Sequence, residues 1–488
     1  MFEQLDAHGI FRYFQEISEI PRGSGHPEQI SRYLVETAQK KGFSVYQDEA
    51  FNVLIQKPGS KGCEALEPVT IQGHMDMVCE KNNDTVHDFE TEGLKLAVDG
   101  DFIYAEGTTL GGDDGIALAY GLALLDEEQL SHPPIQLLFT VDEETGMDGA
   151  WAFDGNLLKG TSFLNLDSEE EGVFITSCAG GLTGILHVPV SYQECAGNNL
   201  VSFSITGLEG GHSGTEIDKN RTNANKLMGR CLAYLYEKTG GSFSVMALEG
   251  GLKENAIPRE ASAQLFVSDL ELFLVHAEIL KQELLEELKG FEPGLQIVFQ
   301  KMDREPGTGE KMLARQSVED VIDLISFLPD GICSMSSHVD GLVETSLNIG
   351  IVRLDEKELT ITCSVRSSIE QAKMDVNRRL GRMAERFDGT YEMRGNYPGW
   401  PYREKSLLRD ICTRTYREQY GKEPVLEALH AGLECGILLG KKPELDIVSL
   451  GPDIFDIHTP KERMSISSVN RVYDMLCAVL EKLAHSAK

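Results

Sequence analysis

Three apolar segments of the sequence each run directly into acidic or histidine residues. Segment 69–72 is followed by His74 and Asp76, segment 135–141 by Glu143 and Glu144, and segment 162–166 by Asp167. The segments have the composition of buried strands, and helical patterns such as 115–127 separate them. Strands that alternate with helices predict an α/β sheet with parallel stretches, which binds ligands beyond the carboxyl ends of its strands. The pattern therefore predicts an α/β domain whose site collects these side chains.

Two adjacent carboxylates lie in the glycine-rich stretch Leu110-Gly-Gly-Asp-Asp-Gly115, just before an apolar helical pattern. Like charges this close raise each other's pKa and resist joint ionisation. A divalent metal ion removes that conflict. The acidic and histidine residues after the predicted strands, with His458 near the end of the chain, supply further ligands. The sequence therefore predicts a metal-dependent hydrolase.

The length of 488 residues exceeds one usual hydrophobic core and predicts two domains. A hydrophobic content of 41% with 25% charged residues is typical of globular proteins. The formal charge of −33 argues against a nucleic-acid partner, which requires clustered Lys and Arg. It favours the attraction of metal ions and cationic substrates instead.

The ten cysteines are scattered and form no Cys-x-x-Cys pair, a pattern typical of a reducing compartment. The N-terminal residues have neither the basic region nor the apolar segment of a signal peptide. The longest apolar run, 115–125, is too short to span a bilayer. We therefore expect a cytoplasmic protein without a membrane partner.

The character of the sequence changes after Ala179-Gly-Gly181. Two successive β-α-β-β-α patterns follow, offset by roughly 90 to 100 residues, and predict a doubled α+β module of the ferredoxin-like kind. The predicted elements are strand 201–206, helix 217–238, strands 242–248 and 261–267, helix 268–289, then strand 294–301, helix 315–328, strands 342–352 and 358–366, and helix 369–387. We predict a catalytic domain at 1–184 and 398–488, interrupted by an inserted domain at 185–397.

A pair of metal ions about 3.5–4 Å apart needs a bridging carboxylate and further ligands on each side. The candidate ligands are His74, Asp113, Glu144, Asp167 and His458. Imidazole and carboxylate groups suit zinc and also admit manganese or cobalt. Three carboxylates and a bridging hydroxide would bring two divalent ions close to neutrality. The sequence therefore predicts two divalent metals, with zinc as the first choice.

Five stretches resemble the ordered motifs of the di-zinc peptidase superfamily that includes carnosinases, aminoacylase and succinyl-diaminopimelate desuccinylase. They are Gly73-His-Met-Asp76, Gly107-Thr-Thr-Leu-Gly-Gly-Asp-Asp-Gly115, Asp142-Glu-Glu144, Asn165-Leu-Asp-Ser168 and Ile457-His-Thr-Pro460. Within it, the chain most resembles the bacterial aminoacyl-histidine dipeptidases. That resemblance extends along essentially the whole chain, including His430-Ala-Gly-Leu-Glu-Cys-Gly436, Asn396-Tyr-Pro-Gly-Trp400 and the large insertion.

The resemblance implies a fold and a role for each candidate ligand. The fold would be a catalytic domain with a mixed, largely parallel sheet flanked by helices, and the inserted domain would act as a lid. His74, Asp113 and Asp167 would hold one zinc ion. Asp113, Glu144 and His458 would hold the other.

The resemblance also implies two carboxylates that act beside the metals. Asp76 would steady His74, a common device around ligating histidines. Glu143 would be the general base that takes a proton from the metal-bridging water and passes it to the leaving amine. The peptide between Asp113 and Asp114 is expected to be cis, as is typical of the superfamily.

Further residues are implied to bind the substrate. His212 would stabilise the tetrahedral oxyanion, while Asn255 and Arg366 would bind the carboxyl end of the substrate. Gly432 and Glu434 would line the pocket, where an anion suits a free α-amino group. The resemblance allows a homodimer, and it leaves open whether His212 acts within its own chain.

These implications converge on a metal-dependent hydrolase of dipeptides, including Xaa-His dipeptides. Two alternatives stay open. The same metals could serve a deacylase of N-acyl or N-succinyl amino acids, or the chain could be a metal-binding relative that has lost catalysis. The stretch 431–436 and the doubled insertion favour the dipeptidase, and Glu143 argues against lost catalysis.

Overall fold

The computed structural model describes residues 5, 8–195, 199–303, 310–337, 339 and 341–486. They form two compact units. The described residues within Met1–Ser177, Tyr402–Ala428 and Leu433–Lys488 make up the first unit, and those within Cys178–Pro401 and Leu429–Gly432 make up the second. None of the helices in these described ranges combines the length and the apolar content needed to cross a bilayer.

The α-helices follow one another along the described chain in this order. They are α1 (Ile10–Ser18), α2 (Glu28–Lys40), α3 (Gly112–Asp126), α4 (Glu143–Gly146), α5 (Asp148–Ala152), α6 (Ala224–Lys238), α7 (Leu270–Leu288), α8 (Arg315–Phe327), α9 (Glu370–Arg386), α10 (Leu407–Tyr420), α11 (Glu434–Lys441) and α12 (Ile466–Ser486). Short 3-10 turns occur at Gly155–Leu157 and Ile217–Lys219.

The strands are numbered in the same way. They are β1 (Ser44–Gln47), β2 (Val53–Lys57), β3 (Val69–His74), β4 (Leu96–Asp99), β5 (Phe102–Ala105), β6 (Ile135–Thr140), β7 (Ser162–Asn165), β8 (Val173–Cys178), β9 (Gly180–Pro189), β10 (Tyr192–Glu194), β11 (Leu200–Thr206), β12 (Gly211–His212), β13 (Phe243–Gly250), β14 (Ala256–Ile257), β15 (Ala261–Val267), β16 (Gln296–Lys301), β17 (Lys311–Leu313), β18 (Gly331–Met335), β19 (Val343–Leu354), β20 (Glu358–Ser367), β21 (Thr390–Tyr397), β22 (Val425–Leu429), β23 (Asp446–Ser449), β24 (Ile454–Phe455) and β25 (Arg463–Ser465).

The first unit is built on an eight-stranded sheet with the order β1-β2-β6-β3-β7-β23-β8-β22. Its central strands β6, β3, β7 and β23 are parallel, and the strands beside them pair antiparallel. Every residue of β3 and β6 is buried, as expected for parallel strands covered on both faces. The predicted α/β class with a mixed, largely parallel sheet is therefore confirmed.

The strand order explains why the predicted ligands meet. Because β3 lies between β6 and β7, the carboxyl ends of these three parallel strands are neighbours. β3 ends at His74, β6 leads into the turn with Glu143 and Glu144, and β7 leads to Asp167. Side chains that are distant in sequence therefore converge at one edge of the sheet.

A small four-stranded sheet, β24-β25-β5-β4, brings the last two ligands to that edge. His458 lies in the connection between β24 and β25, which pair antiparallel. β25 pairs with β5, and β5 leads into the glycine-rich stretch that carries Asp113. The sheet thus joins residue 458 to a loop more than three hundred positions earlier in the sequence.

The second unit contains a nine-stranded sheet in which two modules can be distinguished. The first module, β11-α6-β13-β15-α7-β16, has the strand order β16-β11-β15-β13. The second module, β9-α8-β19-β20-α9-β21, has the order β19-β20-β9-β21. Each has the β-α-β-β-α-β order of ferredoxin-like units. A short pairing of β13 with β19 joins them.

This topology corrects the predicted assignment of strands. The strand predicted at 294–301 is present as β16, but it is the last strand of the first module because it pairs with β11. The second module instead begins with β9, which precedes the whole first module in sequence and pairs with β20 and β21. The predicted boundary between residues 184 and 185 consequently falls inside β9.

Candidate metal centre

Asp113 is the central group of the cluster at the strand ends. Its Oδ1 lies 3.0 Å from Nε2 of His74, and its Oδ2 lies 3.1 Å from Nε2 of His458. Asp167 Oδ1 is 3.6 Å from the same atom of His74, and Glu144 Oε1 is 3.1 Å from the same atom of His458. Two groups of three potential ligands therefore share one carboxylate, as a pair of bridged metal ions requires.

The charges of this cluster fit a pair of divalent cations. Although burial opposes it, hydrogen bonds with His458 and His74 lower the pKa of Asp113. Hydrogen bonds with Asp113 and Glu144 raise the pKa of His458 to about 10, and burial raises the pKa of Asp167 to about 6. In the metal-free chain, protons on the two imidazoles thus offset part of the negative charge of the cluster. Metal ions bind in place of such protons, and the residues present fit two of them.

Asp76 connects the first histidine to the turn at the end of β6. Its carboxylate lies 3.3 Å from Nδ1 of His74 and accepts hydrogen bonds from the amides of Glu143 and Glu144 at 3.1 and 3.3 Å. Ser24 Oγ donates to the same carboxylate at 2.7 Å. One buried carboxylate therefore orients a candidate ligand and the backbone of the predicted base and its neighbour.

Glu143 lies at the start of α4, beside the ligands. Burial and the negative charge of Asp167 raise its pKa well above the ordinary value, the direction needed for a proton acceptor that works near neutral pH. The backbone around it is unusual. Asp142 and His458 have φ angles of 54° and 59°, which residues other than glycine rarely adopt and which cluster at functional sites.

The peptide between Asp113 and Asp114 is cis, so that expectation is confirmed. The two neighbouring side chains have different roles. Asp114 is buried, and its Oδ2 accepts a hydrogen bond from the amide of His74 at 3.1 Å. A Cβ at Gly73 would collide with this carboxylate, so glycine is needed there. Asp113 alone faces both imidazoles.

The second unit gathers a separate set of predicted residues. Arg366 is only 8% exposed; its Nη2 lies 3.5 Å from Nε2 of His212, and its Nη1 donates to the hydroxyl of Tyr397 at 3.3 Å. Its Nε is buried and has no hydrogen-bond partner among the described residues. Pairing of β12 with β14 sets His212 opposite Ala256, the neighbour of exposed Asn255. The guanidinium of Arg366 therefore retains a hydrogen-bond donor with which it could bind an anion.

Gly432 and Glu434, both predicted to line a pocket, have different environments. Gly432 lies against the ring of Tyr397 in the second unit. Glu434 is completely buried in the first unit, where its Oε2 accepts hydrogen bonds from Thr140 Oγ1 at 2.5 Å and Gln72 Nε2 at 2.6 Å. Burial raises its pKa to about 8. Glu434 is thus a largely protonated group beneath the strand ends and does not form an open anionic wall.

This burial predicts how the stability of the metal-free protein depends on pH. Glu434 holds its proton up to about pH 8 when folded, but its ordinary pKa is 4.5. The stabilisation that protonated Glu434 contributes is therefore complete below its ordinary pKa of 4.5 and is lost as pH rises through its folded-state pKa of about 8. We expect Glu434→Gln, which cannot ionise, to reduce the fall of Tm with pH. Thermal unfolding of the chelated protein at several pH values measures this dependence. Exposed Glu427→Gln is the control. An equal change of Tm with pH in the wild type and both variants would contradict the prediction.

Two buried charged residues near Asp113 were missed in the sequence. Arg22 and Glu462 are each only 2% exposed. Arg22 donates to backbone carbonyls, and Glu462 accepts from backbone amides. No pattern in the sequence indicates their burial, because Arg and Glu are ordinarily surface residues. The one available signal is that Glu462 follows His458 by four positions.

A cavity of about 380 Å³ adjoins the cluster in the first unit. Its lining is a mixture of apolar, polar and acidic groups that includes Ser24, Met77, Cys79, Phe89 and Glu144. Ligand pockets commonly have volumes of about 300–1,000 Å³ and mix apolar walls with a few polar groups. The cavity therefore has room for an amino-acid side chain beside Glu144.

Comparison with known proteins identifies the family. The model of peptidase family M20/M25/M40 matches residues 70–482. The cytosol non-specific dipeptidase of Escherichia coli (strain K12) is 38% identical over 490 residues, which cover 98% of both chains. The crystal structure of aminoacylhistidine dipeptidase from Vibrio alginolyticus matches with a TM-score of 0.91 and 35% identity over 99% of this chain and 98% of that chain.

A more distant structure shares the fold alone. An aminopeptidase from Bacillus cereus matches with a TM-score of 0.55 and 15% identity over 98% of this chain and 100% of that chain. The family model covers most of the sequence, and the Escherichia coli relative is similar along nearly its whole length. The chain therefore belongs to peptidase family M20/M25/M40.

Proposed function

We propose that the protein is a metal-dependent dipeptidase whose substrates include Xaa-His dipeptides. The observation that carries the proposal is Asp113, which lies between the His74–Asp167 and His458–Glu144 groups. The relatives from Escherichia coli and Vibrio alginolyticus, named as dipeptidases, support the substrate class. The free cysteines and the name of the first relative support a cytoplasmic location.

The donor set favours two divalent ions, with zinc as the first choice and manganese or cobalt as alternatives. His74, Asp113 and Asp167 would hold one ion, and Asp113, Glu144 and His458 the other. The ions would supply Lewis acidity, which polarises the peptide carbonyl and lowers the pKa of water. Asp76 would keep His74 oriented through Nδ1.

Glu143 would move the proton during hydrolysis. Its carboxylate would accept a proton from the attacking water and then deliver it to the nitrogen of the leaving amine. The hydrogen bond from the backbone amide of Glu143 to Asp76 holds the base in position, while the side chain of Glu143 stays free to exchange the proton. Burial raises the pKa of Glu143, which makes its carboxylate a stronger proton acceptor than an exposed one.

Residues of the second unit would recognise the substrate. Arg366 would bind the terminal carboxylate, because its guanidinium is buried with an unused Nε donor. Exposed Asn255 would donate to the same end of the substrate. Burial and the charge of Arg366 lower the pKa of His212, so His212 is neutral and can donate one hydrogen bond to the developing oxyanion.

The test of this function is a comparison of substrates with zinc-reconstituted protein. The panel comprises β-Ala-His, Gly-His, Leu-Gly, a tripeptide and an N-acetyl amino acid, compared by kcat/KM. We expect the dipeptides to be cleaved fastest. Preference for the N-acetyl substrate would assign the protein to the deacylases, and no turnover with zinc bound would mean that it has lost catalysis.

Amidated dipeptides test the proposed role of Arg366. Because hydrogen bonds to charged groups contribute about 1.5–3 kcal/mol, amidation of the carboxyl end should lower kcat/KM by about 10- to 100-fold. Arg366→Met should lose most of this discrimination, mainly through KM. Exposed Arg378→Met is the matched control. Undiminished discrimination in Arg366→Met would show that another group binds the carboxylate.

A further inference from the structure

Three loops of the first unit contain or directly follow the candidate ligands His74, Asp113 and His458, and two buried charged residues join these loops in pairs. The first loop follows β3 and includes Met75 and Asp76, the second includes Leu110 to Asp113, and the third connects β24 with β25 and includes His458. Arg22 binds the first and second loops, and Glu462 binds the second from within the third.

The guanidinium of Arg22 donates hydrogen bonds to backbone carbonyls of the first and second loops. Nη1 donates to the carbonyl of Met75 at 3.0 Å and to that of Asp76 at 3.1 Å, and Nη2 donates to the carbonyl of Gly111. A Cβ at Gly111 or Gly115 would collide with the guanidinium. The glycines of this stretch thus allow a buried arginine to lie against the backbone that carries Asp113.

Glu462 binds the same stretch through its amides. Oε2 accepts from the amides of Leu110 and Gly111 at 2.8 and 3.1 Å, and Oε1 accepts from Gly112 at 2.8 Å and Asp113 at 3.5 Å. The amides at the start of α3 have no partner within the helix, so a carboxylate there satisfies them. The residue that accepts hydrogen bonds from the loop of Asp113 therefore lies only four positions after His458.

Neither Arg22 nor Glu462 makes an ion pair within 4.0 Å among the described residues. Their charged groups instead form hydrogen bonds with the backbone of the first and second loops. Burying a charge is costly unless its hydrogen bonds are retained. A displacement of any one loop would break bonds to these groups. The relative positions of the candidate ligands are consequently coupled through Arg22 and Glu462.

We infer that Arg22 and Glu462 are positioning residues that hold Asp113 between the two histidines and thereby set the affinity of the centre for its metal ions. This inference rests on the proposed di-metal centre. Arg22 fixes Asp113 relative to the loop of His74. Glu462 fixes it relative to the loop of His458. A bridging carboxylate must satisfy both distances at once, so weakening either connection should affect the shared site.

The test is a titration of metal-free protein with zinc in competition with a chromophoric chelator. Glu462→Gln removes the charge at nearly constant shape, and Arg22→Lys keeps the charge but not the planar fork. We expect each to weaken the binding of at least one zinc ion by about 10- to 100-fold, the usual range for groups that orient ligands. Exposed Lys461→Gln and Arg32→Lys are the matched controls and should bind as the wild type does.

A second measurement separates positioning from folding. Circular dichroism should show that the variants are folded at the titration temperature, and kcat should recover with excess zinc while KM for the dipeptide stays unchanged. Two zinc ions bound with wild-type affinities in both variants would overturn the inference, as would failure of both to fold. Failure of the wild type to bind two ions would instead overturn the proposed centre itself.

Discussion

Glu143→Gln should lower kcat for dipeptide hydrolysis by about 10²- to 10⁴-fold, the usual contribution of a general base. The amide keeps the shape of the side chain but cannot accept the proton from water. The hydrogen bond from the amide of residue 143 to Asp76 belongs to the backbone and should persist. Zinc content and KM should therefore stay near their wild-type values, and steady-state kinetics with metal analysis checks all three quantities.

The control is Asp148→Asn, an exposed acidic residue of the neighbouring helix α5. It should leave kcat within about twofold of the wild type, as for most surface changes. A Glu143→Gln protein with full activity would assign the proton transfer to another group. Loss of activity together with loss of zinc would mean that Glu143 supports metal binding instead of proton transfer.

Asp113→Asn should release both metal ions and abolish activity. One carboxylate faces both imidazoles, so a neutral amide in its place removes a ligand from each group at once. Asp167→Asn should by contrast affect the group with His74 alone. We expect zinc content to fall from about two ions to less than one in Asp113→Asn and to about one in Asp167→Asn. Elemental analysis after dialysis measures the difference.

Asp114→Asn is the matched control for this prediction. Asp114 is the adjacent residue and is also buried, but its Oδ2 accepts a hydrogen bond from the amide of His74, which an asparagine can also accept. One of its carboxylate oxygens also lies within 4.8 Å of a ring nitrogen of His74 and of a carboxylate oxygen of Asp167, so Asp114 is the natural rival as a ligand. Loss of zinc in Asp114→Asn but not in Asp113→Asn would exchange their roles.

The sequence predicts the central part of the site because the ligands follow strands. His74, Glu144 and Asp167 each come directly after an apolar segment, and parallel strands bring such positions to one edge. The order β6-β3-β7, which makes the three ends neighbours, has no signal in the sequence. The position of His458 at this edge depends on two strands, β24 and β25, that are too short to give a periodic pattern in the sequence.

The errors have an equally specific origin. Periodicity predicts β16 but not its partner, so the sequence predicts it as the first strand of the second module, whereas its pairing with β11 makes it the last strand of the first. The resemblance implies that Glu434 lines the pocket as an anion, but it carries no information on the burial of this side chain, which accepts hydrogen bonds from Thr140 and Gln72 inside the first unit. Arg22 and Glu462 were missed for the same reason, since their burial arises from tertiary contacts with backbone groups.

The nested modules of the second unit impose an order on its folding during synthesis. β9 leaves the ribosome first, but its two partners, β20 and β21, follow only after the whole first module. The inner module has nearer partners and can form while β9, whose residues are mostly apolar, still has both edges unpaired. An unpaired apolar strand invites pairing with other chains. Until β20 and β21 emerge, β9 of the nascent protein is therefore exposed to such pairing.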